Sequence, residues 1–140
     1  MNPGLSLTDA LATALATIPE LGARIYRGTV GRALDDGTIT PFAAVHAPSE
    51  TGSFSRSRIV LIDRTSIIEI ILPDGLDIET RIETMRRSIM QAIAGGRLIL
   101  GQTSIEKLDF SIDIIYPEMG SDLALIKFTL NTTYPDNLTT

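Results

Sequence analysis

The sequence contains no cysteine and no tryptophan, only one histidine, and few aromatic residues of any kind. Without cysteine there can be no disulfide, no thiolate zinc site and no cysteine nucleophile. Basic residues are in the minority: 12 Lys and Arg stand against 17 Asp and Glu, a formal net charge of -5. A duplex-binding domain carries the opposite balance. No apolar run approaches the roughly 20 residues needed to span a bilayer. No Lys or Arg precedes Arg24, and Thr8, Asp9, Thr13 and Thr17 interrupt Leu7–Ile18. A secretion signal is therefore not expected. The Asn-x-Thr triplets at Asn131 and Asn137 then read as chance.

What is present is ordinary globular material. The 140 residues are 44% hydrophobic and 21% charged, which suits one domain with one core. Leu7, Ala10, Leu11, Ala14, Leu15 and Ile18 form one stripe at helical period, with Ser6 as a cap and Pro19 as a stop. A turn at Leu21-Gly22 leads to a short strand over Ala23–Arg27. The Gly- and Asp-rich stretch 28–40 reads as a polar connection, and Pro41–Ala47 as a second strand. Residues 48–57, small and polar, read as another long loop, of the kind that often carries function.

Two β-branched bursts, Ile59–Ile62 and Ile67–Leu72, flank Asp63-Arg64. The second reads as a central strand buried on both faces, with Glu69 at an edge or an interface. Ile78, Ile82, Met85, Ile89 and Ile93 predict a second helix, with Asp77 as N-cap and Gly95-Gly96 at its end. Strict alternation over Ile105–Tyr116 and Leu123–Tyr134 predicts a β-hairpin turning at Pro117–Gly120. That pairing would bring Asp109 near Lys127. Residues 1–4 and 135–140 read as loose ends of a single domain spanning 1–140. The expected fold is α+β: a mostly antiparallel β-sheet with two helices packed on one face.

No pattern of catalytic residues emerges. His46 lacks a nucleophile signature such as G-x-S-x-G, and reads as a strand-end or interface residue. Asp35-Asp36 before Gly37 lacks the spaced oxygens of a calcium loop and reads as a turn. Asp109 and Asp113 are four residues apart on one strand face, roughly 13 Å, too far for a carboxylate dyad. Neither phosphate-binding glycine motif occurs. No catalytic residue, metal or cofactor is therefore expected. Arg56, Arg58 and Arg64 beside Phe54 form the densest basic group. It suits a loop docking on an acidic neighbour better than a phosphate site. Arg86-Arg87 is expected on the solvent or partner face of its helix.

The order of these pieces resembles the tail terminator proteins of long-tailed bacteriophages and related prophage tails. The residues that carry the resemblance are Ile18-Pro-Glu-Leu-Gly-Ala-Arg-Ile-Tyr-Arg27, Pro41-Phe-Ala-Ala-Val45, Arg64-Thr-Ser-Ile-Ile-Glu-Ile-Ile71, Met85-Arg-Arg-Ser-Ile-Met-Gln-Ala-Ile93 and the C-terminal hairpin, within residues 5–134. The resemblance implies a virion protein, assembled in the host cytoplasm into a hexameric ring. That ring caps the tail tube, stops its polymerisation and joins the tail to the head-side neck. Its partners would be further copies of itself, the tube protein, a neck or head-completion protein and, in contractile tails, the sheath. Genomic DNA would pass through the channel without specific binding, and no membrane is involved.

The residues expected to make subunit or partner contacts are Arg32, Asp35, Asp36, Glu50, Phe54, Arg56, Arg58 and Arg64. Asp109, Asp113, Glu118 and Asp122 are expected on a channel or exposed acidic face. Two other readings fit the same residues: a neck or tail-completion connector, and a small soluble domain that binds a ligand or peptide in an apolar pocket.

Overall fold

The computed structural model describes residues 3–54, 58–96, 105, 107–117 and 122–138. Along the chain these residues form α1 (Pro3–Ala16), β1 (Ile25–Arg27), α2 (Val30–Asp35), β2 (Phe42–Phe54), β3 (Ile59–Pro73), α3 (Ile78–Gly96), β4 (Lys107–Ile115) and β5 (Leu123–Asn137). The strands make one sheet in the order β1-β2-β3-β5-β4. Only the short β1–β2 pair is parallel; the other neighbours are antiparallel. The fold is α+β, as the alternation of periods in the sequence implied.

The period-2 residues decide which face the helices cover. Ile68, Ile70 and Leu72 of β3 and Ala124, Ile126, Phe128 and Leu130 of β5 are buried against Leu7, Leu11 and Leu15 of α1 and Ile82, Met85 and Ile89 of α3. These helices stack on the sheet because their apolar stripes have no other partner large enough to remove them from water. Among the described residues the opposite face is covered only at one end. There Ala33 of α2 packs with Phe42, Ala44 and Ile71 in a second, smaller cluster.

Several boundaries differ from those the sequence suggested. The connection 28–40 contains α2, capped by Thr29, whose hydroxyl accepts from the Arg32 N–H at 3.3 Å. Six residues with one buried alanine carry too little periodicity to be seen in advance. The stretch 48–54 is a strand, because backbone pairing continues from Ser49↔Thr65 to Phe54↔Val60 after an irregularity between His46 and Ser49. The two apolar bursts are one 15-residue strand running straight through Asp63-Arg64.

Glu69 is in the interior of the sheet, opposite Ala44 on one side and Lys127 on the other. Its strand is buried on the helix side but only partly covered on the outer side. Asp77 offers its carbonyl to the Arg81 N–H at 3.0 Å, so it holds the capping position, but in a left-handed conformation with φ 60. Of the two ends expected to be loose, the described residues are built into elements. Pro3 and Gly4 are buried in the first turn of α1, and β5 pairs with β3 as far as Ile59↔Asn137. The hairpin keeps even residues against even residues. Its register, however, sets Asp109 opposite Asn131 and Asp113 opposite Lys127, four residues from the expected match. Residues 118–120 of the predicted turn lie outside the described residues.

Candidate functional site

The sheet ends in two bare edges. On one side β1 covers β2 only through the register Ile25↔Ala43 to Arg27↔Val45. From His46 to Phe54, among the described residues, β2 has a partner on the β3 side alone. On the other side β4 is the last strand, paired with β5 and, among the described residues, with nothing beyond. An edge strand presents a row of unpaired N–H and C=O groups that another strand can complete.

Beyond the last β4 pair, Lys107↔Thr133, the far parts of β2, β3 and β5 continue as a three-stranded arm, from Gly52↔Ile62↔Tyr134 out to Ile59↔Asn137. The Leu138 N–H closes the tip by donating to the Arg58 carbonyl at 2.8 Å. Phe54 is 85% exposed there, and Ile59, Leu61 and Leu138 are also exposed. Phe54 is on the helix face and Ile59 and Leu61 are on the open face, so a partner that removes them from water has to reach both faces of the arm.

At its root the arm is fastened to α1 by polar contacts on the helix side. The Arg64 guanidinium, whose side chain is 14% exposed, bonds the Glu50 carboxylate and donates to the Thr8 hydroxyl at 3.1 Å. Gly4 is where α1 meets this group: a Cβ there would stand 2.6 Å from an Arg64 nitrogen. Tyr134 is buried beside them. Burial first, and the nearby Glu50 charge second, push its hydroxyl pKa upward, with Arg64 pulling the other way.

The folded state therefore holds a phenol that resists ionisation. Its contribution is complete below the unfolded tyrosine value of about 10 and is lost as pH rises through the higher folded value. Urea midpoints measured from about pH 9 to about pH 11.5 are expected to fall above pH ~10. In Tyr134→Phe that fall should become shallower. An unchanged slope would place Tyr134 in water rather than in the core. Tyr26 contributes in the same direction, because its hydroxyl donates to the Asp36 carboxylate at 2.6 Å.

The residues singled out in the sequence divide between opposite ends of the molecule. Arg32 and Asp35 are on α2 and Asp36 is its C-cap, over the Phe42–Ile71 end of the sheet, all exposed. Glu50 is at the root of the arm, Phe54 and Arg58 belong to it, and Arg56 lies outside the described residues. Arg64 is not part of an exposed basic loop: strand alternation turns it towards the helices, where Glu50 and Thr8 hold it. Asp109 and Asp113 share the open face of β4. A Lys107 nitrogen stands 3.4 Å from the Asp109 carboxylate, and Lys127 is the register partner of Asp113. The exposed Asp122 is at the other end of β5, where its carbonyl accepts from the Asp74 N–H at 2.7 Å; Glu118 lies outside the described residues. Arg86 is held to Glu83 on the same helix.

His46 sits at the register shift of β2, half-buried, and its Nδ1 has no hydrogen-bond partner among the described residues. Among those residues no group of three or more His, Asp or Glu is placed to hold a metal ion, and no helix is long and apolar enough to cross a membrane. No family model matches the sequence, and comparison with curated proteins gives no match. The geometry of edges and arm therefore carries the functional argument. Sequence reasoning missed the Arg64–Glu50–Thr8 junction, although one signal was available: Arg64 shares the even phase of the buried β3 residues Ser66, Ile68 and Ile70.

Proposed function

We propose that this chain is a structural subunit that assembles into a ring, caps a phage tail tube, ends its polymerisation and joins the tail to the head-side neck. The observation that supports this most is the pair of long strand edges that are bare among the described residues, together with an arm that carries exposed apolar residues past the end of β4. Edges suit contacts between identical subunits in a closed ring, and a projecting arm suits contact with a different protein such as the tube subunit. The formal charge of -5 per chain, repeated around a ring, suits a channel through which DNA slides without sticking.

A ligand-binding domain finds its support in one apolar groove lined by Glu20, Pro41, Leu72, Thr80, Arg81, Thr84 and Met85. Its volume is about 170 Å³; a larger depression of about 310 Å³, lined by Thr17, Ile18, Pro19, Ser88, Gln91 and Ala92, lies open to solvent and does not enclose a ligand. Sites for small ligands usually measure roughly 300–1,000 Å³. Arg81 is moreover turned to the Pro73 carbonyl at 2.9 Å. The assembly reading is therefore preferred.

Electron microscopy of the purified protein, alone and mixed with growing tail tubes, tests this reading. Rings seated on tube ends, tubes that stop lengthening, and rings that do not retain duplex DNA at physiological salt are the expected results. Dispersed subunits that leave tube growth unaffected would overturn the proposal.

A further inference from the structure

We infer that β4 of one copy pairs with the free length of β2 of the next, so that neighbouring sheets join into one continuous antiparallel sheet. This deepens the ring reading above by naming its subunit contact, but the argument for the pairing comes from the edges themselves.

The first ground is strand direction. β2 is antiparallel to β3, β3 to β5 and β5 to β4, so β2 and β4 run in opposite directions. A second copy set beside the first without being turned over presents its β2 antiparallel to β4. The alternation then continues across the junction, as the more stable pairing requires. One strand more or fewer between the edges would have forced a parallel junction.

The second ground is side-chain complementarity. On the open face β2 carries Ser49, Thr51 and Ser53, and β4 carries Asp109, Ser111 and Asp113. On the helix face β2 carries Gly52 and Phe54, and β4 carries Leu108 and Phe110, which are 37% and 49% exposed because the helices do not fully cover them. One register satisfies both faces. It sets Ser49, Thr51 and Ser53 opposite Asp113, Ser111 and Asp109, so that hydroxyls can donate to carboxylates. It also sets Phe110 over Gly52 and Leu108 beside Phe54. Relative to a level arrangement, the second copy slides along the strands by about four residues, roughly 13 Å. By contrast, self-pairing of β4 over its full length would put Asp109 opposite Asp113 twice, and like charges directly opposed are destabilising.

The test reverses the charges at this register. In Ser49→Asp/Ser53→Asp, carboxylates would face Asp113 and Asp109 across the junction. The association measured by sedimentation velocity is expected to weaken at least about tenfold. Adding Asp109→Lys/Asp113→Lys to the same chain is expected to restore it. All four positions are exposed, and circular dichroism checks the fold. If the fourfold variant does not fold, the single pair Ser53→Asp with Asp109→Lys, whose β5 partner Asn131 is neutral, makes the same test.

Wild-type protein that stays monomeric at about 100 µM, above the range of stable specific contacts, would overturn the inference. So would undiminished association of the acidic variant, or failure of the lysines to rescue it. These measurements need no tail tubes. Loss of the edge pairing with tube capping intact would reject the junction and leave the cap standing, and the converse would do the reverse.

Discussion

Phe128→Ala is expected to cost about 4 kcal/mol of stability, the largest effect of any substitution considered. Phe128 is fully buried in the middle of β5, between Ile68 of β3 and Ile112 of β4 in register. It belongs to the cluster that joins both long helices to the sheet. Removing the ring loses its transfer free energy and leaves a cavity that helices anchored at several other points cannot fill by moving in. For a chain of this length the thermal midpoint should drop by roughly 12–16 °C.

Phe110 provides the control. Its ring centroid is 6.1 Å from that of Phe128, yet it is 49% exposed at the rim, so Phe110→Ala should cost well under half as much. Urea unfolding of both variants, at a dilution where the chain is monomeric, decides the matter. Similar losses for the two would mean that the rim is as buried as the centre, which contradicts a bare β4 edge.

The second large effect is expected at Arg64. Arg64→Ala removes a guanidinium that bonds Glu50 and Thr8, and it removes the surface against which Gly4 packs. Breaking a fully buried pair costs about 3–5 kcal/mol. The Glu50 side chain is 42% exposed and regains water when its partner leaves, so about 2–3 kcal/mol is the expected loss here. Glu50→Ala should cost less than Arg64→Ala, and the double variant should cost less than the sum of the two, because the residues share one interaction. A loss under about 0.5 kcal/mol for Arg64→Ala would return this residue to the class of exposed loop arginines, where its sequence neighbourhood had placed it.

That misplacement shows where the sequence is readable and where it is not. Both long helices, the hairpin and the α+β class were readable because large apolar residues recur at one period over many positions, as in Ile78–Ile93 and Leu108–Tyr116. β2 beyond Ala47 was not readable. Pro-Ser-Glu-Thr-Gly-Ser has the composition of a loop, and pairing with β3, the next strand, makes it a strand although its own side chains carry no apolar alternation. Arg64 was misread for a related reason. Proximity to Arg56 and Arg58 in the chain suggested a basic cluster, whereas strand alternation sends its side chain to the helix side.

The candidate contact residues were legible only as types. The register, not the sequence, separates Arg32, Asp35 and Asp36 from Phe54 by most of the length of the sheet, and it shows that Lys107 and Lys127 lie close to the acids of β4.

The length of β3 has a mechanical consequence. It is zipped to β5 without interruption from Ile59↔Asn137 to Pro73↔Leu123, and β2 flanks it for much of the same distance. A pull on the tip of the arm runs along these strands, so it loads the cross-strand bonds in shear. They must slide and fail together, whereas a pull across the strands would peel them apart one at a time. A partner gripping Phe54 and Leu61 would therefore transmit tension to the helix-backed body through the stiffest direction the molecule has.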